Sequence, residues 1–176
     1  AAAPRAAATR AAAPRAPAVV LGLSPAGLYL VRELSSAGIP VCGVSDSRES
    51  GSYSKHLRKH GAFRLVPSGD GTGGGRLMET IEEIGEKWGE KPLLFPASDR
   101  YIEWISRNYD RALARARFSS SYEPSRYRRL LDKHEFYRAC EATETPYPLR
   151  ASAAGGAWEA AAVGLGYRVV VNPDRI

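Results

Sequence analysis

Three short stretches of this chain carry side chains whose type and spacing could bind or activate a ligand. The first is Gly22-Leu23-Ser24-Pro25-Ala26-Gly27, followed at some distance by Asp46. Glycines at the first and last positions of such a run let a backbone turn tightly and lie close to a phosphate or another chain segment. The second is Ser98-Asp99, directly after the apolar run Leu93 to Phe95 and Pro96. The third is Asp132-Lys133-His134-Glu135. Asp132 with Glu135 three residues on reads as a capping-box-like helix start, which puts Lys133 in the first turn. A cation there opposes the helix dipole and asks for a compensating anion, although spacing alone favours a solvent-exposed lysine at a small cost.

Other candidates read as structural. His56 and His60 lie four apart, as zinc ligands can, but Lys55, Arg58 and Lys59 surround them, which favours a solvated basic turn. Cys42 and Cys140 are far apart with no ligand-spaced partner, and read as buried reduced thiols of a cytoplasmic protein. Arg107, Arg111 and Arg115 recur every four residues, followed by Arg117, Arg126, Arg128 and Arg129; this reads as an exposed helix face, and nucleic acid is not expected as a partner. The net charge of +6 is concentrated at the start, where Arg5, Arg10, Arg15 and Arg32 precede the first acid, Glu33.

The elements that must hold these residues follow from periodicity. Residues 1–17 are almost entirely Ala, Pro and Arg and are expected to stay outside the fold as a disordered tail. Val19 to Leu23 is a strand-length apolar run. Ser24 follows as N-cap with Pro25 at the first helical position, then Leu28, Val31 and Leu34 at helical spacing, and Gly38 as the stop. Pro40 to Val44 is a second strand, with Asp46 just past its carboxyl end. Tyr53 to His60 reads as a short basic helix or turn, Phe63 to Val66 as a third strand, and Gly69 to Gly75 as a loop. Leu77, Ile81, Ile84 and Trp88 form one helical stripe, and Leu93 to Phe95 is a buried strand. A helix capped by Ser98 or Asp99 should then turn Ile102, Ile105, Tyr109 and Leu113 inward.

Alternation of strand and helix predicts an α/β fold, a Rossmann-like parallel sheet with helices on both faces. Its ligands should sit beyond the carboxyl ends of the strands. Gly22, Ser24, Gly27, Asp46, Ser98 and Asp99 all follow strands at that edge and form the expected substrate cleft. The run Gly22 to Gly27 with Asp46 is a broken dinucleotide fingerprint, since Ser24 replaces the middle glycine and Pro25 removes a donor. It is more simply a tight βα turn, structural or lining a substrate pocket. No run of residues is long and apolar enough for a membrane span.

Taken in order, Gly22-x-Ser24-x-Ala26-Gly27-Leu28, Asp46, the Phe95-Pro96 strand with Ser98-Asp99, Asp132-Lys133, Pro146-x-Pro148 and Tyr167-x-Val-Val-Val-x-Pro173 resemble the ATP-grasp ligases. More narrowly, they resemble the carboxylate-amine ligases with a preceding α/β domain. The resemblance implies that residues 18–121 are that preceding domain and that residues 122–176 begin the ATP-grasp module. It also implies ATP and magnesium as cofactors of the full enzyme, and small-molecule carboxylate and amine substrates joined through an acyl phosphate. In that family the lysine after the aspartate contacts the nucleotide phosphates, which assigns this role to Lys133. A second lysine usually closes the valine-rich strand, and here Asn172 stands instead, weakening phosphate binding. The magnesium-holding lobe would follow Ile176, so the chain is expected to be inactive alone and to bind no cofactor measurably. Two other readings stay open: a dinucleotide-binding Rossmann module, and a degenerate, non-catalytic interaction module using the basic face.

Overall fold

Four residues, Ala18–Leu21, form β1, the middle strand of the sheet, and all four are buried. The computed structural model describes residues 15–59, 62–67, 74–118 and 123–147. Both neighbours of β1 run parallel to it: β2 (Val41–Ser45) on one side and β4 (Leu93–Pro96) on the other. β3 (Phe63–Leu65) extends the sheet beyond β2, and β5 (Arg117–Phe118) extends it beyond β4. The order is β3-β2-β1-β4-β5, all parallel, which is a Rossmann-like sheet.

Strand alternation divides the apolar side chains between two layers. Val19, Leu21, Cys42, Val44 and Leu94 face one side, with Leu77, Ile81 and Ile84 of α3 (Gly74–Trp88) and Tyr101 and Ile105 of α4 (Asp99–Arg107). Ala18, Val20 and Val41 face the other, against Val31 of α1 (Pro25–Ser36) and Leu57 of α2 (Lys55–Lys59). Gly43 belongs to this second layer, where an added Cβ would lie 2.9 Å from the methyls of Leu23 and Leu57. The missing side chain makes room for two leucines that are fully buried.

The helices begin and end largely where side-chain chemistry requires. Pro25 opens α1, and Gly38, at φ +76°, closes it. The Gly38 N–H donates to the Ser35 carbonyl and the Ile39 N–H to the Leu34 carbonyl, both at 3.0 Å, and Leu34 and Ile39 pack into the same layer. The α3 stripe of Leu77, Ile81 and Ile84 is buried, with Trp88 partly buried beside it.

Several expectations needed correction. β1 ends at Leu21 rather than Leu23, because Gly22 leaves the strand at φ +89°. Pro17 is buried and its carbonyl accepts the Leu93 N–H at 2.8 Å, so backbone pairing with β4 begins one residue before β1. The basic segment starts earlier, as a 3₁₀ turn over Ser50–Tyr53 before α2. Of the expected glycine loop, Gly74 and Gly75 open α3, and the rest lies outside the described residues.

The helix expected through Leu113 breaks at Asn108, which ends α4 and starts α5 (Tyr109–Arg115). The Asn108 side-chain amide donates to the Trp104 carbonyl at 2.9 Å, completing the end of α4 locally. The break resets the phase, so Ala112 is buried while Leu113 is 45% exposed. The arginines therefore do not share one helix face: Arg107 pairs with Glu103, Arg115 with Glu82, and Arg117 with Glu90. The strand β5 was not anticipated at all.

The chain divides into two compact units, Ala1–Leu131 and Asp132–Ile176. α6 (Pro124–Leu131) packs against α4 in the first. In the second, α7 (Lys133–Ala142) is followed by Glu144 at φ 52° and a Tyr137–Tyr147 ring contact at 5.4 Å. Among the described residues no helix is long and apolar enough to cross a membrane.

Candidate functional site

β1 leads through α1 to β2 on one side, while β3 leads through α3 to β4 on the other. The sheet therefore reverses its winding between β1 and β4, and the loops after these two strands part at their carboxyl ends. There Gly22 donates its N–H to the Val44 carbonyl and Ala97 to the Leu21 carbonyl, both at 2.8 Å, holding the three strand ends together.

The β1–α1 turn is shaped by contact rather than by chain freedom alone. A Cβ at Gly27 would stand 2.0 Å from the Gly22 carbonyl oxygen, so the first turn of α1 approaches the strand end only because Gly27 has none. A Cβ at Gly22 would stand 3.2 Å from the Tyr101 ring and 3.5 Å from the Ser98 hydroxyl oxygen. Gly22, Gly27 and Ser98 are thus brought together. Ser24 occupies the N-cap position of α1, but its side chain makes no capping hydrogen bond there, correcting half of that expectation.

Asp46, at the end of β2, forms an ion pair with Arg100 in the first turn of α4. The carboxylate that would hold a ribose in a dinucleotide site is already engaged by a cation of the same chain. Tyr101, the next residue, is buried; burial first, and the Asp46 charge second, push its phenol up to about 12. The Asp46 backbone hydrogen-bonds to the same phenol and opposes that rise.

Sequence reasoning missed the residue that ties the edge together. Glu49 reaches back from the β2–α2 segment, where its Oε2 accepts the Leu23 N–H at 2.5 Å and the Ser45 hydroxyl at 2.6 Å. Its own N–H donates to Ser52 Oγ at 3.1 Å, and the Gly51 N–H donates to the Leu23 carbonyl at 2.9 Å. The signal available in sequence was Glu49-x-x-Ser52, a capping box with the acid first.

Between α1 and the β4–α4 loop lies a shallow open groove of about 560 Å³. Ala26, Tyr29 and Leu30 line one wall, and Pro96 to Asp99 with Ile102 line the other. It is mostly apolar, with Ser98 and Asp99 as its polar end. Of the expected cleft residues, Ser98 and Asp99 line it directly, while Gly22, Ser24, Gly27 and Asp46 do not.

Lys133 lies in the second unit, as the exposed first residue of α7. Asp132 caps that helix, its Oδ1 accepting the His134 N–H at 2.9 Å and the Glu135 N–H at 3.1 Å. The reciprocal half of the expected capping box is absent, since Glu135 Oε1 accepts from Arg138 at 2.7 Å. Asn172, Pro148 and the valine-rich run lie outside the described residues. His56 accepts or donates a 3.2 Å hydrogen bond with Ser35 on α1. Both cysteines are buried free thiols. Burial pushes Cys42 up to about 12, against small opposing effects of Arg64 and Lys87.

The fold and its edge define a Rossmann-like α/β protein with a cleft at the reversal point of the sheet. No family model matches the chain. No curated protein matches it either. Its fold is similar to part of a single-chain, multi-domain long-chain acyl-CoA carboxylase, with a TM-score of 0.51 and 15% identity over 77% of this chain. The chain spans 14% of that enzyme, and at this identity the likeness concerns the fold alone.

Proposed function

We propose that this chain contributes the leading α/β domain and a phosphate-contacting lysine to an ATP-dependent ligase that joins a carboxylate to an amine. The carboxylate would attack the terminal phosphorus of ATP, releasing ADP and leaving an acyl phosphate. The amine would then displace phosphate to form an amide. The observation that carries this reading is the order of parts: a Rossmann-like sheet with a cleft at its reversal point, then Asp132-Lys133 opening a new helix in a second unit. The fold likeness to a segment of a multi-domain acyl-CoA carboxylase agrees with it at the level of architecture.

Lys133 fits the role of phosphate contact in one respect and limits it in another. Its ammonium is exposed at a helix N-terminus, but Asp132 already takes the His134 and Glu135 N–H groups, so the helix end adds little beyond the lysine's charge. Among the described residues no three His, Cys, Asp or Glu side chains gather as a metal site, so magnesium is assigned to no residue here. The apolar groove beside Ser98 and Asp99 would accept the body of a substrate.

Mg-ATP titration of the full chain, followed through backbone amide shifts, tests the reading. One cationic contact should give only weak, millimolar-range binding, with shifts confined to residues around Asp132 to Phe136 and lost in Lys133→Ala. The melting temperature should stay essentially unchanged, because about 2.7 kcal/mol of stabilisation requires a ligand at roughly a hundred times its dissociation constant. Shifts centred on Gly22 to Gly27 instead would favour dinucleotide-type binding, and no shift anywhere would remove the nucleotide from the proposal.

A further inference from the structure

The Leu23 N–H and the Ser45 hydroxyl converge on a single oxygen, Glu49 Oε2, at 2.5 and 2.6 Å. Two donors from different strand ends aimed at one anionic oxygen make an anion seat, and the chain fills it with its own carboxylate. Pro25 supplies no N–H to the same turn, and the Leu28 N–H is used by the Ser24 carbonyl at 2.8 Å. Seated in this way, Glu49 both occupies the position and adds a negative charge where a phosphate would approach.

We propose that Glu49 is a specificity-determining residue that closes the β1–α1 turn to phosphate-bearing ligands, acting as the chain's own substitute for a bound phosphate. The turn keeps the tight glycine geometry of a nucleotide-binding loop while its Leu23 N–H serves to fasten the β2–α2 segment. Any nucleotide phosphate would then be handled away from Gly22 to Gly27. This inference does not depend on Lys133, which lies in the other unit, so failure of either proposal leaves the other standing.

Replacing the carboxylate by a void should turn the seat into an external anion site. Wild type and Glu49→Ala, as full chains, are titrated with inorganic phosphate and with NADH while the Leu23 and Ser45 amides are followed, with chloride at matched ionic strength as reference. In wild type both amides should remain unmoved by either probe. In Glu49→Ala they should shift saturably with phosphate, at an affinity roughly tenfold or more above any wild-type response, because an anion then satisfies donors left unpaired. Phosphate should also raise the melting temperature of Glu49→Ala more than that of wild type, a difference that cancels the general salting effect. If Glu49→Ala does not fold in chloride, its folded fraction in phosphate becomes the readout. Saturable shifts of the wild-type amides would overturn the proposal. So would a folded Glu49→Ala that ignores phosphate, or an unfolded one that phosphate fails to recover.

Discussion

Gly27 is the residue least open to change at this edge, because any side chain there meets backbone rather than a movable group. Its Cβ would lie 2.0 Å from the Gly22 carbonyl oxygen, whereas a Cβ at Gly43 would meet only methyl ends of Leu23 and Leu57 at 2.9 Å. Gly27→Ala should therefore cost about 3 kcal/mol or more and Gly43→Ala nearer 1–2 kcal/mol, compared by urea unfolding. Equal costs would mean that the turn shifts freely. Cys42 offers a second reading at this scale. With its thiol pushed up to about 12 from an ordinary 9, iodoacetamide at mildly alkaline pH should alkylate it more than about a hundredfold slower in the native chain than in the unfolded one. Site-resolved mass spectrometry would show this, and equal rates would contradict the burial. The glycine positions were visible in sequence, since tight turns demand them. Glu49 was visible only as the start of a capping box, because its reach to Leu23 is set by β1 and β2 lying side by side.

Among the elements, α4 joins the strand ends through Arg100 and Tyr101. The Tyr101 phenol ionises near 10 when unfolded and about 12 when folded, so the folded chain holds the proton more tightly. That contribution is complete below pH 10 and is lost as pH rises through about 12. Tyr101→Phe should flatten part of the fall in urea midpoint between about pH 10 and pH 12, leaving the part due to Cys42. An unchanged slope would show that the phenol does not contribute. At α7, Asp132→Ala removes the acceptor for two N–H groups and should cost that helix about 1 kcal/mol, read as faster amide exchange over Lys133 to Glu135. The capped start was legible in Asp132 and its neighbours because capping is local. The break at Asn108 was not, since Tyr109 and Leu113 continue the apolar period in sequence. In the structure Tyr109 instead stacks on Phe118 at 5.5 Å, an interaction with β5 that no helical spacing encodes.

At the scale of the molecule, the first unit contains the whole sheet and both apolar layers, and α6 packs within it. A chain ending at Leu131 should therefore still unfold cooperatively in urea, with near-native circular dichroism; loss of the cooperative transition would show that residues beyond Leu131 complete its core. The α/β class, the parallel pairing of β1, β2 and β4 and the α3 stripe follow from sequence alone. Buried parallel strands must be apolar on both faces, and a covering helix must present one apolar stripe, so each pattern repeats within a few residues. The two-residue strand β5 is too short to repeat any pattern and exists because β4 offers it an edge. The seating of Glu49, the engagement of Asp46 by Arg100 and the burial of Tyr101 against Gly22 were likewise decided by the tertiary structure. Each depends on contacts between segments distant in sequence, which are fixed only when β1 lies between β2 and β4.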